Sequence, residues 1–286
     1  MHYVEKRDQD QDLANVQVAN RRWWTTHTMS YDWRSPIAAE KYSKAWFDEI
    51  DRRFIYGARL FAHDASAFDR IIPFELLKDN RALEIGCGMG LHAELMARAG
   101  AKMVAIDISD TSVMATRKRA ELKNLSIDVQ QMDAARLDFE DESFDFVWSW
   151  GVIHQAAQTG RIVKEIHRVL RPGGEVRVMV YNLDGMPAYI TIVTKHLLNF
   201  WRGKSLDKDL WQSTDGFLAR HYSKDLLADL FNTFFFDTRV ESFGQDADAV
   251  PLPRYFRKPL LRFFNEESLK RWANSRGAFL FVTARK

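Results

Sequence analysis

Between residues 81 and 181 the chain alternates short apolar runs with amphipathic ones, and this alternation narrows the fold more than any other feature. "RALEIG" is an apolar run stopped by a glycine, the pattern of a strand buried on both faces of a parallel sheet. "GLHAELMARAG" reads as a helix closed by Gly100, and "KMVAID" as a second strand. "SDTSVMATRKRAELKN" is a second helix with Ser109 placed as its N-cap. "SIDVQQMD" and "FDFVWSW" supply strands three and four. A helix over 159–170 gathers Ile162, Val163, Ile166, Val169 and Leu170 on one face before "RPGG" stops it, and "EVRVMVY" is the fifth strand. Strand and helix alternating at this spacing give a parallel sheet with right-handed crossovers and helices on both faces. The core is therefore α/β and doubly wound.

Residues 1–78 read as an N-terminal arm and helical cap. The arm ends in the aromatic stretch "NRRWWTTHTMSYDWRSP", which needs a surface to pack on. Trp46, Ile50 and Phe54, with Phe47 beside the first, recur at helical spacing within 37–62, and a short helix is expected over 67–78. Residues 79–286 form the main domain, with helical insertions over about 182–221 and 246–275, after strands five and six. The first combines an apolar helix, "AYITIVTKHLLNFW", with a polar loop. "SKDLLADLFNTFF" is a helix capped by Ser223, and "TRVESF" and "AFLFVTAR" are the last two strands.

Composition removes several function classes. Apolar residues make up 46% and charged residues 28%, as in a folded soluble domain. A net charge of +2 does not demand a nucleic-acid partner. The single cysteine, Cys87, excludes an internal disulfide and a multi-cysteine zinc site. No apolar run approaches the roughly 20 residues of a membrane helix, and the polar start does not resemble a signal peptide. The expected location is cytoplasmic.

In "LEIGCGMGLHAE", Gly86, Gly88 and Gly90 fall between a strand and a helix. Glycine allows the tight turn and lets a ligand reach the backbone with no Cβ in the way. The dinucleotide fingerprint places its third glycine three residues after the second; here the step is two. Glu84 before the loop disfavours a pyrophosphate and suits a cation. Asp107, about 20 residues on, ends the next strand where a carboxylate takes ribose hydroxyls. Asp133 ends the third, where it can accept from an exocyclic amine. Asp107 also reads as a helix-capping acid, Asp133 shares its surroundings with Asp138, Glu140 and Asp141, and Cys87 reads as a small packed residue.

The ordered set "ALEIGCGMG", "VAIDIS", "MDAARLDF", "FDFVWSWGVIH" and "VLRPGGEVRVMVY" resembles the class I S-adenosylmethionine-dependent methyltransferases, strongly over about residues 80–181. The resemblance implies a Rossmann-like, seven-stranded sheet whose last strand is antiparallel. It implies S-adenosyl-L-methionine as cofactor, leaving S-adenosyl-L-homocysteine. Gly86, Cys87, Gly88 and Gly90 would lie against its methionine part with Glu84 beneath. Asp107 would bind the ribose and Ile108 pack on the adenine. Asp133 would take the adenine amine with the backbone of Ala134 close to the ring, and Trp150 would border methionine and acceptor.

An acceptor hydroxyl must lose its proton, and His154, just past strand four, is the candidate general base. A neutral imidazole closing the strand is the competing structural reading. Trp150, Gly151, His154 and Tyr31 of the arm are the candidate acceptor-binding residues. Strand four lacks the Asn/Asp-Pro-Pro-aromatic signature of nucleobase amino methylation. Ser149 and Trp150 stand where a metal-dependent catechol-type enzyme needs acids, so no metal is expected. A small or lipid-like acceptor follows, with O-methylation preferred. The alternatives are a nucleic-acid methyltransferase, a cofactor-binding module without catalysis, and, disfavoured by glycine spacing, a nicotinamide-dependent oxidoreductase. The aromatics Trp23, Trp24, Tyr31 and Trp33 of the arm, and Tyr189, Phe200, Trp201 and Trp211 of the first insertion, would form a lid or a homodimer contact. The basic and aromatic segment 251–272 is compatible with a peripheral membrane contact or a solvated face.

Overall fold

The apolar runs become the strands that the alternation requires. β1 (Arg81–Ile85), β2 (Lys102–Asp107), β3 (Ile127–Gln131), β4 (Phe144–Trp150) and β5 (Leu170–Asn182) run parallel. The two-residue β6 (His221–Tyr222) pairs with the end of β5, and β7 (Phe236–Phe243) and β8 (Phe279–Arg285) complete the sheet. The order is β3-β2-β1-β4-β5-β8-β7. β8 is antiparallel to both neighbours, so the last strand is inverted as expected and β6 is an addition to the seven. This computed structural model describes residues 10–31, 35–62, 67–197, 203, 205–214, 216–252 and 254–286. Trp33, Phe200 and Trp201 lie outside them.

Helices cover both faces. α1 (Asp10–Thr26) and α2 (Lys44–Gly57) precede the sheet, and α3 (Leu91–Arg98), α4 (Asp110–Leu122) and α5 (Thr159–Val169) are the crossovers. The apolar face of α5, with Ile162, Val163, Ile166 and Val169, is buried against β4 and β5. The opposite face of the sheet packs Phe146, Trp148 and Met179 with Phe61, Phe68 and Ile72 of the N-terminal region. Ser109 caps α4 by accepting from Ser112 N–H. The first insertion holds α6 (Met186–Thr191), a π turn over Ile192–His196, and α7 (Leu206–Trp211). α8 (Lys224–Asn232) follows, capped by Ser223, and the second insertion contains α9 (Asp246–Ala249), α10 (Arg254–Leu260) and α11 (Glu266–Ser275).

Two local expectations change. The helix expected over 67–78 is reduced to a single 3-10 turn, Phe74–Leu76. Phe68 sits at φ 66 and Pro73 lacks an N–H, so neither continues a helix. α2 begins at Lys44, because Ser43 caps it by accepting from Trp46 N–H. The N-terminal arm is helical as expected, over α1.

α2 is fixed to the core by one buried cation. Arg119 of α4 is fully buried and donates to both Asp51 oxygens of α2, at 2.9 and 2.6 Å, and to Glu94 Oε2 of α3 at 2.9 Å. Its guanidinium lies 4.7 Å from the Phe47 ring centre. Removing one member of a buried charge network leaves the others unpaired in a medium that cannot solvate them. Arg119→Met is expected to lower stability by about 3–5 kcal/mol in urea denaturation, with much of the loss recovered when Asp51→Asn and Glu94→Gln are added.

Candidate functional site

The carboxyl ends of β1, β2, β3 and β4 open onto a cavity of about 610 Å³. After β1 the chain makes three positive-φ turns, at Gly86 (φ 82), Gly88 (φ 52) and Gly90 (φ 80). A Cβ on Gly86 would stand 2.1 Å from Val152 Cγ2, so glycine is needed there for packing as well as conformation. A Cβ on Gly88 would meet nothing within 4 Å, which makes this the open face of the cradle. Gly90 is buried at the start of α3, with Thr116 packed where its side chain would be.

Asp107 spans the loop and the next helix. Its Oδ2 accepts from Gly88 N–H at 3.0 Å and its Oδ1 from Ser109 N–H at 2.9 Å. Burial pushes its carboxyl up to about 6, against the pull of those N–H groups and with the Glu84 charge adding to the rise. Glu84 lies beneath the loop, fully desolvated, with its carboxyl raised well above the usual range by burial although Ala93 N–H donates to it. One of its oxygens has no hydrogen-bond partner, and the other is 3.5 Å from His92 Nδ1. Two acids whose charged forms are disfavoured by desolvation are suited to a cationic ligand, whose charge would favour the carboxylates. Burial also raises the Cys87 thiol, as befits a packed residue rather than a nucleophile.

Gly86, Cys87, Gly88, Asp107, Ile108, Asp133, Ala134, Trp150, Gly151 and Tyr31 all line the cavity. Asp133 Oδ1 accepts from Ala135 N–H and Oδ2 from Gln17 Nε2 at 3.0 Å. Trp150 stands in an aromatic wall with Phe54, Phe61, Phe68 and Phe281, each 5.4–5.8 Å away between ring centres. Tyr31 stacks on Phe54 at 5.2 Å.

His154 departs from expectation. Gly151, at φ 74, turns the chain inward, and the 3-10 turn Ile153–Gln155 buries the imidazole completely. His154 is not a cavity-lining residue. It packs on Tyr181, 4.2 Å between ring centres, and Tyr181 is the residue that lines the cavity. Neither ring nitrogen has a hydrogen-bond partner, and burial lowers the pKa to about 3, with His221 and Arg220 adding to the fall. An imidazole held neutral in this way is a poor proton acceptor near pH 7.

Several wall residues carry no signal in the sequence. α1 crosses the Asp133 end of the cavity, where Gln17 bridges Asp133 and Ala157 N–H, and Asn20 donates to the Gln155 carbonyl at 2.9 Å. Thr111 Oγ1 of α4 donates to the Thr25 carbonyl and ties down the helix end. Phe54 and Tyr56 of α2, Tyr181 of β5, and Gln245 and Arg257 of the second insertion complete the walls. These residues come from segments distant in sequence, and only the chain's folding places them together.

Comparison with known proteins agrees with this geometry. The family described as "Methyltransferase domain" matches residues 83–178. The ubiquinone biosynthesis O-methyltransferase of Cereibacter sphaeroides is 31% identical over 193 residues, covering 68% of this chain and 72% of the relative. The chain belongs to the class I S-adenosylmethionine-dependent methyltransferases. The enzyme of the same description from Bartonella tribocorum is 35% identical over 112 residues, covering 39% of this chain and 44% of that protein. The match thus spans under half of that relative's length. Among solved structures, a Thermotoga maritima SAM-dependent methyltransferase, titled a possible histamine N-methyltransferase, aligns with TM-score 0.52 and 21% identity. It covers 84% of this chain and 95% of its own. At that identity the likeness speaks for the fold. The cofactor of the family is S-adenosylmethionine, and the open glycine cradle with its desolvated acids fits a sulfonium nucleoside.

Two outcomes are expected at this site. Gly86→Ala should lower stability on the order of 2 kcal/mol and weaken S-adenosylhomocysteine binding in calorimetry, because Val152 is stiff at χ1 and cannot swing clear. His154→Phe should be more stable than the parent, by a margin that grows as pH falls from 6.5 towards 3. In that window the unfolded chain protonates its histidine and the folded one, with its lowered pKa, does not, so the parent loses stability as pH falls. Urea denaturation at pH 5 and 7.5 measures the difference.

Proposed function

We propose that the protein transfers the methyl group of S-adenosylmethionine to a hydroxyl of a small or lipid-like acceptor. The observation that carries this reading is one continuous cavity with two chemically different ends. The glycine cradle, Asp107 and Asp133 form one, and the contiguous rings of Tyr31, Phe54, Trp150, Phe279 and Tyr181 the other. The ubiquinone biosynthesis O-methyltransferases among its relatives support oxygen as the methylated atom.

In this reading the backbone of Gly86, Cys87 and Gly88 holds the methionine part, with Glu84 and Gly90 shaping the loop from below. Asp107 takes the ribose hydroxyls through the lone pairs left by Gly88 and Ser109. Ile108 and Ala134 bracket the adenine, and Asp133 accepts from its amine, the role that Gln17 Nε2 fills in the free protein. When bound, the cofactor supplies an electrophilic methyl group. The chain itself contributes alignment and exclusion of water. α1 covers the adenine end, the aromatic wall excludes solvent around Trp150, and Gly151 permits close approach of the acceptor. We assign His154 a positioning role behind Tyr181 in place of the general-base role that its sequence context suggests.

S-adenosylhomocysteine is expected to bind in the micromolar range by calorimetry and Asp107→Ala to abolish binding; an intact protein that ignores the ligand refutes the reading. A metabolite panel with radiolabelled cofactor then separates the alternatives. Cofactor binding with no methylated product indicates a binding module, and salt-sensitive retention of RNA indicates a nucleic-acid methyltransferase. His154→Phe should retain turnover; its collapse in a folded, cofactor-binding variant would restore the base role.

A further inference from the structure

Two insertions leave the sheet at the same edge, because β5 and β7 are both antiparallel to β8 and so run the same way. That edge also carries the loop after β1, and with it the cavity. Each insertion turns an apolar ridge to solvent. On the first, Tyr189, Ile190, Val193 and Leu197 follow helical spacing and are all exposed. On the second, Tyr255 is 84%, Phe256 59% and Phe263 82% exposed. Single exposed apolar residues are ordinary, but bare aromatic rings clustered on one short segment mark a contact surface.

The charge around the second ridge identifies the partner. Residues 250–265 contain Arg254, Arg257, Lys258 and Arg262 and no acidic residue. We propose that the α10 segment docks on an anionic lipid bilayer, its aromatic rings entering the headgroup layer and its cations meeting lipid phosphates. A second copy of the chain is a poorer occupant, since a two-fold contact through this patch would set the same cations against one another. Lys258 borders both the surface groove of α10 and the cavity. Docking therefore places the cavity mouth at the membrane surface, where a lipophilic acceptor would enter. That consequence rests on the function proposed above, whereas the docking does not.

Co-sedimentation with vesicles tests the docking. The full chain should pellet with phosphatidylcholine vesicles containing about 30% phosphatidylglycerol and stay in solution with phosphatidylcholine alone. Arg262→Glu should weaken partition at least about fivefold, and Tyr255→Ser with Phe263→Ser at least about tenfold. Both variants should keep the parental S-adenosylhomocysteine affinity and melting temperature, because these side chains lie outside the cavity wall. Equal pelleting with both vesicle types, undiminished binding by the aromatic double variant, or a dimer that this variant dissociates without any vesicle binding would overturn the proposal. S-adenosylhomocysteine titration of the same samples reports separately on the cofactor site.

Discussion

The Arg119 clamp is the interaction on which the cavity depends. A guanidinium with no solvent exposure needs partners from the protein, and here carboxylates from two other helices take both of its terminal nitrogens. Its geometry fixes α2 against α3 and α4. α2 in turn supplies Ile50, Phe54 and Tyr56 to the cavity wall, and its Arg53 holds the carbonyls of Tyr31 and Ser35. The path from a buried ion network to the cavity wall therefore runs through a single helix. Loss of the clamp would disturb the walls before it disturbed the sheet, whose strands are held by their own ladder.

Desolvation sets the electrostatics of the site. Glu84, His92 and His154 are buried and Asp107 is half-buried, and in each case desolvation is the largest cause of a shift towards the neutral form. The acids lie below and beside the cradle, so a bound cation is the natural complement to them. The histidines lie among aromatic rings, where neutrality costs little and charge would cost much. His92 illustrates this, since Phe54, Phe68, Trp148 and Trp150 surround its ring at 4.7–5.5 Å. The cavity lining thus joins desolvated acids at the cradle to a cluster of rings around Trp150.

The motifs whose physics is local were legible. The glycine loop, the acids ending β2 and β3, and the N-caps Ser109 and Ser223 are all where spacing and capping chemistry put them, because each depends on a few neighbouring residues. The failures share a cause. α1 is polar on most of its surface and becomes a wall of the site only by reaching Asp133, Gln155 and Thr111, far along the chain. The helix expected over 67–78 gave way to backbone geometry at Phe68 and Pro73, which an apolar period does not report. His154 has the sequence context of a site residue, yet one left-handed glycine before it directs the ring into the core.

By itself the sequence determined a doubly wound sheet with a glycine loop after its first strand, because strand periodicity, turn glycines and caps act over a few residues; the inverted last strand and the cofactor followed from the resemblance of its ordered motifs to a family. Only the tertiary structure decided which side chains line the cavity, that His154 stands behind Tyr181, and that α1 covers the Asp133 end. Those outcomes depend on packing between segments separated by tens to hundreds of residues. At that distance burial and hydrogen-bond satisfaction are settled by the whole fold rather than by any local pattern.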